Sequence, residues 1–223
     1  MAIETGNSLL CADLQATGGL QKVLIRRWNS DQSGSDLDEI LFGGAGAHTI
    51  TSIMEGGGTS STWGAYDAKL ESSSLTVSGT TAENGVSTYE CNLVFTIPSV
   101  DLTHLNKLQE FTGEALQVMV IDTNGDLTTA SDTAGAANYL VLGISKTLAG
   151  SDDNQDTDGT HHNSTRPQTF ARLASIEANT GAAFSDENSA VVTITATMHE
   201  LPRAYVNANA IVYNSAGTVA TVK

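Results

Sequence analysis

The sequence predicts a mainly β domain that carries one short helix. Three observations predict it. The composition is rich in Gly, Ser, Thr, Asn and Asp and only 5% aromatic, a mix that favours short strands, polar turns and long loops over a helical core. Apolar and polar residues alternate with period two in several separate segments, the pattern of half-buried strands. Helical spacing of apolar residues is conspicuous in one place, just after Pro98. The chain has 223 residues, enough for one large or two small domains. Nothing in it reads as a linker between two cores, so the expectation is a single domain over 1–223, with its core at about 65–205.

The elements follow in order. "KVLIRRW", Lys22 to Trp28, is the first clear strand. From Asn29 to about Gly64 the chain is Gly-rich and has no Lys or Arg. This stretch, 29–64, is expected to be a long loop that packs no core of its own, with one short strand around Ile50, Ile53 and Met54 and with order gained against a neighbouring subunit. Alternation returns in "AYDAKLESSSLTVSGTT", and "ENG" at Glu83 to Gly85 marks a turn. In the next strand Tyr89, Cys91, Leu93, Phe95 and Ile97 share one face, and the two flanking strands should form a hairpin. Pro98 ends that strand. Asp101 is the expected helix N-cap, with Val100 and Leu105 as a hydrophobic staple. Leu102, Leu105, Leu108 and Phe111 form the apolar stripe, and Gly113 is the stop. "EALQVMVID" is apolar on both faces, as in a strand buried on both sides. Asn124-Gly125 suits a tight hairpin turn. "YLVLGISK" and "QTFARLASIEA" are further strands, and "AVVTITATM" places Val192, Ile194, Ala196 and Met198 on one side. "HELPRAY" closes the core, and 206–223 is expected to form a C-terminal arm with a hairpin about Asn214 to Gly217.

The charge excludes some functions. Twenty-five acidic against 10 basic residues give a formal net charge of −15. That balance opposes a grip on phosphate backbones or on anionic membranes, both of which need Lys and Arg. It suits a soluble protein kept apart by like charge, or a surface that nucleic acid must pass without adhering. Cys11 and Cys91 lack metal-type spacing and read as free thiols of a reducing compartment, with a single disulfide as the alternative. The opening residues have no secretory pattern, and no stretch reaches the length of a membrane-spanning helix, so a cytoplasmic, soluble protein is expected.

Candidate chemistry is sparse. The five histidines are His48, His104, His161, His162 and His199. The chain has no G-x-S-x-G nucleophile elbow and no H-E-x-x-H zinc motif. The loop "DDNQDTDGTHH", Asp152 to His162, has the acid spacing of a calcium loop. Asn154 takes the leading Asp position there, and Thr165 takes that of the bidentate Glu, so a solvated acidic loop is the stronger reading. "GGAGAH" and "EGGGTSS" lack the Lys of a phosphate-binding loop. Arg26 and Arg27 are the one basic pair, and a nucleic-acid patch needs more. No catalytic, cofactor-binding or metal residue is assigned, and an enzyme is not expected. What remains are sheet edges, which invite strand addition from another chain.

The order of elements carries a resemblance. A strand–turn–strand is followed by "FTIPSVDLTHLNKLQEFTG", "LQVMVIDTNGD", "YLVLG" and "TGAAFSDENSAVVTITATM". Over roughly residues 65 to 205 this resembles the tail-tube-like structural proteins of tailed bacteriophages. One departure is the stretch "DLTTASDTAGAAN" between the Asn-Gly turn and the next strand. The resemblance implies an antiparallel β-sandwich or barrel with one helix packed on it. It implies a virion tail protein made in the host cytoplasm and assembling as stacked, homo-oligomeric, hexameric rings. Their acidic channel would pass DNA during genome ejection without binding it. Partners would be further copies of the chain and other tail or neck proteins, with no cofactor and no membrane. A head–tail connector or tail completion ring is the first alternative. A β-sandwich module binding glycans or calcium is the second.

Overall fold

The computed structural model describes residues 18–28, 39–42, 48–55, 60–69, 71–98, 102–122, 139–145, 160–162, 169–179, 188–206 and 211–222. In chain order the strands are β1 (Leu20–Arg27), β2 (Glu39–Phe42), β3 (Thr49–Met54), β4 (Ser61–Asp67), β5 (Ser74–Thr81) and β6 (Ser87–Pro98). Helix α1 (Leu102–Glu110) follows, then β7 (Leu116–Asp122), β8 (Tyr139–Leu142), β9 (Thr160–His162) and β10 (Ala171–Asn179). The chain ends with β11 (Ser189–Met198), β12 (Arg203–Tyr205), β13 (Ile211–Tyr213) and β14 (Val219–Val222).

These strands form one open sheet whose main path is β13-β14-β4-β1-β7-β8-β12-β3-β2-β9. A branch leaves β7 and runs through β10, β11 and β6 to β5. Its pairs are antiparallel, apart from the parallel pairing of β12 with β3. The protein is therefore mainly β with one short helix.

Strands β1 and β7 are apolar on both faces because each face meets a different core. On one face Val23, Ile25, Leu116, Val118 and Val120 pack with Cys91, Leu93, Phe95 and Ile97 of β6 and with Val192, Ile194 and Met198 of β11. Leu108 of α1 is fully buried in the same cluster, with Phe111 packed against it. On the other face Leu24, Met119 and Ile121 pack with Ile40, Ile50, Ile53, Trp63, Tyr205, Ala220 and Val222. Side chains alternate across a strand, so strands that serve two cores are apolar through their centres, as at Val23 to Ile25 and Val118 to Ile121, while Lys22, Arg26 and Gln117 are buried polar exceptions. The faces expected for β6 and β11 are those observed. Gly113 follows the helix at φ 82°, the left-handed stop that the sequence predicts. Asp101 and Val100 lie outside the described residues, as does Asn124-Gly125.

Two expectations need correction. Segment 29–64 is not a coreless loop: it contributes β2, β3 and the start of β4, and Ile50, Ile53 and Trp63 are 0% exposed. Its few apolar residues are too sparse to make a core alone. They are buried because the second faces of β1 and β7 supply the opposite wall. Segment 206–223 is likewise no arm. Hairpin β13–β14 forms where expected, but β14 pairs with β4 and buries Ala220 and Val222. Lys22 fastens it further: its Nζ lies 2.8 Å from Asp67 Oδ1, donates to the Gly217 carbonyl at 3.3 Å, and sits 4.6 Å from the Tyr213 ring centroid. The core thus extends from Leu20 to Val222 rather than over 65–205.

The branch depends on one contact. β10 meets β7 at a single pair, Ala171 opposite Leu116. Gly143, at φ 83°, packs there so closely that a Cβ would lie 2.7 Å from both the Ala171 nitrogen and the Leu116 carbonyl oxygen.

Candidate assembly site

The sheet ends in several edges, and they differ in kind. β13 and β9 have three residues each, and short edge strands template little. β5 has 8 residues and, among the described residues, pairs only with β6. β10 has 9 residues and pairs with β11 along its length, but touches β7 only at Ala171. Beyond that point no described strand pairs with its second side. The branch is thus a four-stranded antiparallel unit, β5-β6-β11-β10, with a long edge on each flank.

Local chemistry builds each edge. β5 and β6 are joined by a three-residue turn in which Ala82 N–H donates to the Val86 carbonyl and Gly85 N–H to the Ala82 carbonyl. Gly85 takes φ 81°, the left-handed position of a type I turn with a bulge. Val86 N–H donates to Asn84 Oδ1 at 3.1 Å. The 82–86 bond sets the alternation of the ladder. With an unbroken register from Thr81↔Ser87 to Ser74↔Val94, Thr76, Ser78 and Thr80 bond to β6. Leu75, Val77 and Gly79 direct their N–H and C=O groups outward. On the far flank the register Arg172↔Thr195, Ser175↔Thr193 and Glu177↔Val191 turns those β10 residues toward β11. Ile176 and Ala178 therefore face the open side. The register against β11 shifts between Leu173 and Ser175, just past the pair with β7 at Ala171; a bulge there bends the strand and interrupts its ladder.

β5 has none of the usual edge protection. Its sequence SLTVSGTT holds no charge and no proline, whereas natural edges are commonly blunted by Lys, Pro or a covering element. Gly79 packs under the Tyr89 ring opposite, where a Cβ would lie 2.8 Å from the ring, so the aromatic residue fills the gap in the strand. Leu75 and Val77 are held against the core.

Among the described residues no further element packs on the other face of the unit, the bare face, although its Thr96 end is buried and bonded to Ser72 and Ser73. Residues opposite the core face include Ser74, Thr76 and Ser78 on β5, Glu90, Asn92 and Val94 on β6, Thr193, Thr195 and Thr197 on β11, and Arg172, Ser175, Glu177 and Asn179 on β10. Cross-strand rows such as Thr76–Asn92–Thr195–Arg172 follow from the registers.

The candidate polar groups from the sequence do not converge on a site. Arg26 is buried, 5.7 Å from the Trp63 ring, so it belongs to no surface patch. His48 is exposed, and its Nε2 donates to the Leu201 carbonyl at 2.9 Å. His199 follows β11 at the surface. His161 and His162 lie on β9. Asp152, Asn154 and Thr165 are outside the described residues, as is Cys11. Among the described residues no group of three or more His, Cys, Asp or Glu is placed to hold a metal ion. No described helix is long and apolar enough to cross a membrane. Trp28 and Trp63 are both buried, which removes them as a glycan-binding platform. Sequence reading pointed to edges in general and to a segment over "QTFARLASIEA", but not to β10 as an edge; the local signal is the run of mostly small and polar residues after Leu173. No protein-family model, curated protein or solved structure matches this chain.

Proposed function

We propose that the chain is a structural subunit that closes into rings through β5 of one copy and β10 of the next, as in a phage tail tube. The observation that carries this reading is the pair of long, open flanks on one four-stranded unit. Two different edges that complement each other make a head-to-tail contact, and such contacts close into rings when the rotation permits. Strand direction supports the match. Adjacent strands of the unit are antiparallel, so the first and fourth run oppositely, and rotation about a common axis brings β10 beside β5 antiparallel. Six copies, the number the resemblance implies, would place ~24 strands in one continuous barrel wall. Within a subunit, the stacking of this unit on β1 and β7 is the sandwich-like part of the proposed fold.

A connector or completion ring uses the same closure and differs only in whether rings stack. Negative-stain microscopy and native mass spectrometry of the purified protein, over a range of concentrations and salt, test the reading. Rings or tubes of one stoichiometry are expected. A strict monomer at millimolar concentration would remove it.

A further inference from the structure

Resting on the ring reading, we infer that the bare face of β5-β6-β11-β10 forms the bore and that this bore is a nearly uncharged hydroxyl surface rather than an acidic one. The direction of closure follows from bulk. The opposite face of the unit carries the rest of the described residues: β1, β7 and α1 pack directly on it, and the second core lies beyond them. A closed wall of strands has less room inside than outside, so the bodies sit outside and the bare face turns inward.

The chemistry of that face differs from the chain as a whole. The protein has a formal net charge of −15, yet the described bare face holds two acids, Glu90 and Glu177, and one base, Arg172. Thr193, Thr195 and Thr197 stand at alternate positions of β11, and their direct cross-strand partners are Val94, Asn92 and Glu90 on β6 and Ser175 and Arg172 on β10. Binding of a duplex is driven mainly by cations that displace its counterions. A wall of hydroxyls with one Arg per copy has few of them, so DNA passes because nothing holds it. Repulsion by carboxylates is not required.

Ring preparations mixed with short duplex DNA test this. Wild-type rings should retain none. Thr195→Lys, placed inside the unit and away from both flanks, should raise retention by about tenfold or more at low salt, with the bound duplex protected from nuclease. Gln109→Lys, on the exposed side of α1, should leave any bound duplex open to nuclease. A triple variant, Glu90→Gln with Arg172→Gln and Glu177→Gln, should retain no DNA. Rings of Thr195→Lys whose DNA is digested as readily as that of Gln109→Lys would place the face outside. Retention by the triple variant would show that carboxylate repulsion is needed. Either result overturns the inference while the ring stands; failure of every preparation to form rings overturns the reading beneath it.

Discussion

At Gly143 a hydrogen atom occupies space that a side chain would need. A methyl group there meets two backbone atoms at 2.7 Å, and the residue sits at φ 83°. Gly143→Ala therefore combines overpacking with backbone strain, an effect on the order of 3 kcal/mol. Urea titration should show the loss as a lower midpoint, and amide exchange should show it first around Ala171. A second residue-level effect concerns alkaline pH. Burial pushes the Cys91 thiol from its ordinary 9.0 up to about 11. Burial, with a smaller contribution from Glu110, pushes Tyr66 from 10.0 up to about 12. Tyr205 and Tyr213 move in the same direction, chiefly through burial. Each group is neutral when protonated, and its folded value is the higher one. Above pH 9 the unfolded chain thus releases protons that the folded chain keeps, and stability falls with rising pH. The contribution is complete below about pH 9 and is lost progressively toward pH 11–12. Urea midpoints at about pH 8 and about pH 10.5 should differ in that sense, and Cys91 should react slowly with thiol reagents until the protein unfolds.

The ladder alternation gives the elements a sharper test. Val77 on β5 and Ala178 on β10 turn their N–H groups to the open flanks, so proline at either site removes an edge donor and leaves the internal ladder intact. Val77→Pro and Ala178→Pro should melt close to their controls, Val77→Ala and wild type, and should fail to close rings. Normal rings from both proline variants would show that these flanks are not the seam. The same elements explain what the sequence displayed. β6 and β11 were legible because each buries one face, so period two appears directly in Cys91, Leu93, Phe95 and Ile97 and in Val192, Ile194 and Met198. β7 was legible as a strand apolar on both sides. β3 was legible as the short strand around Ile50, Ile53 and Met54; β2 and the burial of both strands were not, because Ile40, Ile50 and Ile53 are buried by Leu24, Met119 and Tyr205, which lie far away in sequence. The candidate site was legible only in kind. Whether a strand is an edge depends on what lies beside it, and in β10 that is settled by a bulge and by one pair at Ala171.

At the scale of the whole molecule, charge and shape act against each other. Copies that carry a formal −15 each repel at low ionic strength, while strand addition acts only at contact. Ring yield should rise as salt is raised from about 0.02 to 0.15 M, where screening shortens to about 8 Å, and light scattering at fixed protein concentration would read it. A fall over that range would mean that attraction between opposite charges holds the seam. The central strand has a further consequence, in time. β1 pairs with β7 from Arg27↔Leu116 to Leu20↔Asp122, so a segment made early must wait for one made much later. Such distant partners slow folding and prolong the exposure of sticky surfaces. During synthesis one edge of β1 stays unpaired until β7 emerges, and its two faces stay partly uncovered until β11 and the last strands follow, so a chaperone that shields them would govern how much of the chain reaches its fold.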